Sequence, residues 1–176
     1  MGNNKAPIHI PAVDAERAFT AANRPVDWLD LRRYLGEWHE IARLPASFEK
    51  SCSTAATATY SRGAEGALRV RNACRRPDGS VDEALGLARP TEIAGALKVC
   101  FAPRWLRWLP FTWADYWVVD LDPSYRWAVV GGPSREYLWI LARQPLMARN
   151  LFVRLKLSAA NKGYPVDRLV VVGEVN

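Results

Sequence analysis

The chain has 176 residues, 49% apolar and 24% charged, which suits one globular domain with a real core. Its net charge of +6 is mostly an arginine excess scattered in ones and twos, as at Arg32-Arg33 and Arg75-Arg76, the pattern of a solvated surface with some attraction for anions. That spread argues against a nucleic-acid partner, which calls for basic residues gathered on one element, and no apolar run approaches the ~18–20 residues of a membrane-spanning helix.

Residues 1–26 are polar, proline-containing and aperiodic, and read as an extended arm before a domain over 27–176. They hold no charged segment followed by an apolar core, so no signal peptide is expected, and Ala6 breaks the myristoylation pattern after Met1-Gly2. Two readings follow: a cytoplasmic protein, or an exported one whose leader has been replaced by Met1.

From Trp28 onward, short apolar or alternating runs recur: Leu35–Leu44, Thr54–Tyr60, Leu68–Arg75, Val81–Ala88, Ala96–Phe101, Tyr116–Leu121, Trp127–Val130 and Tyr137–Ala142. The separators "RGAEG", "RPDGS", "DPSY" and "GGPSRE" supply residues that accept turn dihedrals, so eight antiparallel strands in a sandwich or barrel are expected. In "QPLMARNLFVRLKLSAANKGY" a proline near the start, apolar Met147, Leu151 and Leu155, and Gly163 at the end predict one helix. "RLVVV" then returns to strand.

With "SRGAE" as a turn, Tyr60 lies opposite Gly66 and Cys52 opposite Cys74, both cysteines on the face of Tyr60. This predicts a disulfide between Cys52 and Cys74 and an oxidising compartment. Strand alternation places Ala56, Ala58 and Tyr60 on one face, with Leu68, Val70 and Asn72 on the next strand. Leu97, Val99 and Phe101 are the corresponding set of the fifth strand, leaving Cys100 facing the other way.

Four motifs carry a resemblance: Gly36-x-Trp38 in "YLGEWHEIARLP", "CSTAATATYSRGAEGALRVRNACRRPDG", "DYWVVDLDPSYRWAVVGGPSREYLWILARQP", and the helix followed by "GYPVDRLVVV". In this order and spacing the chain resembles the lipocalin family, particularly bacterial outer-membrane lipocalins and apolipoprotein D. The resemblance implies an all-β fold: an eight-stranded antiparallel up-and-down barrel, a C-terminal α-helix packed outside, and a short final strand. It further implies that Gly36, Trp38 and Arg143 close one end, the arginine lying across the indole. Residues matching Tyr60, Asn72 and Trp139 line the ligand pocket in relatives; the competing reading is that they simply fill a core.

The implied function is binding and carriage or storage of a fatty acid, lysophospholipid or similar ligand, with no cofactor, in cell-envelope maintenance at the periplasmic side of the outer membrane. Alternatives are an enzyme acting on a hydrophobic substrate in the same cavity and a cytoplasmic pigment carrier. The catalytic inventory is thin: His9 lies in the arm, His39 has outward parity, and no recurrent metal or nucleophile motif is present. Glu40, the acid with inward parity on the first strand, would meet a ligand head group or a barrel neighbour. "APRWLRWLPFTW" interleaves Arg104 and Arg107 with Trp105, Trp108 and Trp113, in a loop that the resemblance puts beside the barrel mouth. Such a loop suits a water–lipid interface, another protein, a homodimer contact or a lid.

Overall fold

The structure is a computed structural model that describes residues 21–45 and 54–176. Eight strands make the frame: β1 Gly36–Arg43, β2 Thr54–Arg62, β3 Leu68–Arg75, β4 Val81–Pro90, β5 Ala96–Cys100, β6 Ala114–Leu121, β7 Trp127–Gly131 and β8 Trp139–Ala142. Each pairs antiparallel with its chain neighbour, and β8 returns to β1, so the sheet closes into a barrel. Closure removes the exposed edges that an open sheet of this size would present.

The expected C-terminal helix is α2, Arg149–Asn161, and it ends before Gly163, whose φ of +85° suits a left-handed cap. Leu155 and Ala159 on α2 are buried against Ile41, Leu138 and Ile140 on the outer face of the barrel. Met147, expected in the helix, instead lies in β9, Leu146–Met147, which pairs in parallel with the last strand at Glu174–Val175. Between them the short strand Val170–Val171 adds to the outside of β1.

The β2–β3 hairpin corrects one expectation. Tyr60 pairs with Val70, not Gly66, and Cys74 faces Ala56, because the turn is built from Gly63 to Ala67. Glu65 and Gly66 both take positive φ there, which moves the bend towards the glycine. The partner of Tyr60 moves from position 66 to position 70, an even shift, so the faces of β2 and β3 are those expected. Cys52, the other half of the expected disulfide, lies outside the described residues. Cys74 is buried on the inner face, while Cys100 is the free cysteine among the described residues. Cys100 is on the outer face as its parity requires, but it is fully covered, with Sγ 3.5 Å from Thr112 Oγ1 of the loop before β6.

One end of the barrel is packed shut. A single turn of helix, α1 Leu31–Tyr34, capped by Asp30, crosses beneath it. Trp38 is 0% exposed, its Nε1 donates to the Tyr34 carbonyl at 2.9 Å, and the Arg143 guanidinium lies 3.8 Å from its ring centroid. Arg143 also donates to the carbonyls of Glu37, Arg33 and Tyr125, tying the last barrel strand to α1 and β1. Gly36 has a φ of +98°, and a Cβ there would stand 3.2 Å from the Arg143 guanidinium. The glycine is thus required twice, by its backbone and by the arginine that passes over it.

Candidate functional site

Above the packed end the interior opens into a cavity of about 630 Å³, within the ~300–1,000 Å³ typical of small-molecule sites. Its upper lining includes Asp82, Phe101, Ala102, Thr112 and Tyr137, so it runs towards the end that carries the β3–β4, β5–β6 and β7–β8 connections. The cause is a gradient of side-chain size. Near the base, Trp38, Tyr34 and Tyr60 fill the barrel, whereas higher on β2 to β4 the inward positions are Ala56, Ala58, Asn72 and Ala84.

Nine of the ten expected lining residues border this cavity: Glu40, Ala56, Ala58, Tyr60, Val70, Asn72, Val99, Phe101 and Trp139. Leu97 does not. It faces inward, but lies with Tyr34 and Trp38 in the packed cluster, because on β5 it is nearer the closed end and pairs with Tyr116. Trp139 is stacked on Tyr137, with centroids 6.0 Å apart and planes 11° from parallel, making an aromatic step at the upper wall. Phe101 folds over Gly86, where a Cβ would come within 2.7 Å of the ring. Gly86 gives that phenyl group its place.

Arg43, which the sequence does not mark, also reaches the cavity. A β-bulge between Glu40 and Ala42 resets alternation, so Glu40 and Arg43 both turn inward while Ile41 and Ala42 turn towards the outer helix side. The two form a buried ion pair at 2.6 Å. Glu40 is therefore matched within the protein, and the pair presents a polar but charge-compensated patch to the cavity.

Tyr116 is another residue that sequence reading missed. Its alternation with Val118 was legible, but nothing in "DYWVVDL" says which face looks inward. Its hydroxyl lies 2.7 Å from that of Tyr60 and 2.8 Å from that of Tyr34. Burial raises the pKa of all three phenols, that of Tyr60 to about 12, so they stay neutral at physiological pH. His39 sits on the outer side with Nε2 3.7 Å from Glu37, and among the described residues no group of three or more His, Cys, Asp and Glu is placed to hold a metal ion.

The loop between β5 and β6 forms two short 3₁₀ turns, Arg104–Leu106 and Pro110–Thr112. Trp105, Trp108 and Phe111 are 72%, 77% and 80% exposed. Trp113 behaves differently: its Nε1 donates to the Arg107 carbonyl at 2.7 Å and Arg89 stacks 4.8 Å from its ring. It holds the loop against the barrel, and the exposed aromatic surface is Trp105, Trp108 and Phe111, the last of which the sequence reading passed over.

A closed barrel with one plugged end, one outer helix and an internal cavity is the architecture on which the comparisons agree. The family model for the lipocalin-like domain matches residues 29–174. The chain is a lipocalin. It is 38% identical over 152 residues to outer membrane lipoprotein Blc of Escherichia coli, covering 84% of this chain and 80% of that protein. It is 35% identical over 147 residues to temperature-induced lipocalin-1 of Arabidopsis thaliana, covering 82% and 78%. Among solved structures, insecticyanin from the tobacco hornworm Manduca sexta superposes with a TM-score of 0.65 at 16% identity, covering 90% of each chain, a likeness of fold. Lipocalins as a family bind and transport small hydrophobic molecules, and a lipocalin cavity is where this chain would do so.

Proposed function

We propose that this lipocalin binds and carries, or stores, an amphiphile with one long apolar chain, of the fatty acid or lysophospholipid class. The observation that carries the reading is the 630 Å³ cavity, bordered by Ala56, Ala58, Val70, Val99 and Leu141 and reaching the mouth at Tyr137 and Trp139. Its chemistry is mostly apolar with a few placed polar groups, as a single-ligand site requires. Native mass spectrometry of the purified protein, with extraction of the retained molecule, is expected to return an unaltered lipid near one per chain. Absence of any retained lipid, together with no quenching of tryptophan fluorescence by added palmitate or lysophosphatidylcholine, would reject this ligand class.

The same reading gives the β5–β6 loop a task and the protein a place. Trp105, Trp108 and Phe111 lie beside Phe101, Ala102 and Thr112 of the cavity rim, with exposed Arg104 among them. Aromatic rings with cations suit the head-group layer of an anionic membrane, so the loop docks the mouth where lipid is loaded or released. Likeness to an outer membrane lipoprotein supports a site in the cell envelope. Replacing Trp105 and Trp108 together by alanine is expected to lower binding to vesicles containing phosphatidylglycerol by about tenfold or more, with the fold intact, since both rings are exposed. If vesicle binding is unchanged while a dimer seen by sedimentation is lost, the loop is a contact between copies instead.

A further inference from the structure

Tyr34, Tyr116 and Tyr60 stand in a row at the cavity floor, joined by two hydroxyl–hydroxyl contacts of 2.8 and 2.7 Å. Among the described residues no other hydrogen bond reaches these oxygens. Three neutral phenols own three protons, and two contacts use two. Whichever way the row is oriented, one O–H remains without an acceptor in the protein. Tyr34 is 1% exposed and does not border the cavity, so stranding its proton would leave a donor that no ligand can satisfy. Tyr34 accordingly donates to Tyr116. The spare proton then belongs to Tyr116 or Tyr60, both of which line the cavity.

We propose that the Tyr60 and Tyr116 hydroxyls form a donor site for a neutral oxygen at the inner end of the ligand, a keto, ester or alcohol oxygen on an otherwise apolar chain. This rests on the cavity being the ligand site and narrows what fills it. The neighbouring walls are Ala58, Val70, Val99, Val130 and Leu141. Arg43 is committed to Glu40, and Arg143 lies over Trp38 and is bonded to backbone carbonyls. A carboxylate pushed to the floor would be stripped of water with no cation to meet it. A plain hydrocarbon tail would leave the spare proton unmatched. An oxygenated chain, or a ring system with a ketone at its buried end, satisfies it.

The test compares undecane with methyl nonyl ketone, which have the same carbon count, and with undecanoate, each displacing a fluorescent apolar probe from the full chain. The ketone is expected to bind roughly three- to tenfold more tightly than the alkane, while undecanoate, whose carboxylate stays at the mouth, should bind equally to the unaltered protein and to the Tyr60→Phe/Tyr116→Phe double variant. The ketone's carbonyl stretch should shift to lower frequency on binding. In the double variant Tyr60→Phe/Tyr116→Phe the ketone-to-alkane ratio should fall to about one, whereas Tyr60→Phe alone should keep the preference through the Tyr116 proton. Equal binding of ketone and alkane by the unaltered protein, or a preference that survives the double substitution, overturns the donor site. Failure of both probes to bind overturns the cavity reading itself. Should the double variant not fold, an unshifted carbonyl band in the unaltered protein overturns the donor site.

Discussion

Trp38→Ala is expected to destabilise the ligand-free protein by about 3–5 kcal/mol, measured by urea denaturation. The indole is 0% exposed and packs against Tyr34 at a centroid distance of 4.9 Å, while Arg143 covers its other face. Truncation opens a void inside a closed, hydrogen-bonded barrel, whose strands cannot freely relax inward. It also leaves the Tyr34 carbonyl without the Nε1 donor and removes the surface on which Arg143 is desolvated. Trp38→Phe should cost visibly less, since it keeps most of the packing while losing the hydrogen bond. A change under about 1 kcal/mol for Trp38→Ala would mean that the closed end is held by the Arg143 carbonyl bonds and not by the plug.

How far the sequence led differs between the frame and the site. Strand alternation and turn residues are local, so all eight barrel strands fall close to their expected places, and Leu138 and Ile140 face the helix as their parity requires. The motif around Gly36, Trp38 and Arg143 was also legible, although the dual need for Gly36 emerged only when the arginine was seen to pass over it. What was not legible came from long-range placement. The bulge near Glu40 turned Arg43 inward, the hairpin moved the partner of Tyr60, and the position of Leu97 along β5 put it in the plug instead of the pocket. None of these is written in a local pattern. Bulge position and depth along a barrel depend on which residues the neighbouring strands supply. The tyrosine row illustrates this most clearly, because its members come from α1, β2 and β6 and meet only after the barrel closes.

Ala58→Trp combined with Ala84→Trp should abolish most ligand binding while leaving the barrel folded. The ladder sets Ala58 opposite Asn72 and Asn72 opposite Ala84, so the two alanines flank one asparagine at a single level across three strands. All three residues border the cavity, and this row of small side chains keeps it open below the Tyr137–Trp139 step. Two indoles at that level would enter empty space, so the usual overpacking cost of ~1–3 kcal/mol for a filled core is not incurred in full. The ligand loses what they occupy. At roughly 25 cal/mol per Å², forfeiting on the order of 100 Å² of buried contact costs about 2.5 kcal/mol, which corresponds to a dissociation constant raised between ten- and a hundredfold. Fluorescence titration with palmitate and lysophosphatidylcholine, alongside a thermal melt, separates the two effects. Unchanged affinity in a folded double variant would place the lipid on the outside of the barrel. Collapse of the melt would instead mean that the Ala58–Asn72–Ala84 row is a packing layer, and that the space above Trp38 is smaller than the geometry makes it.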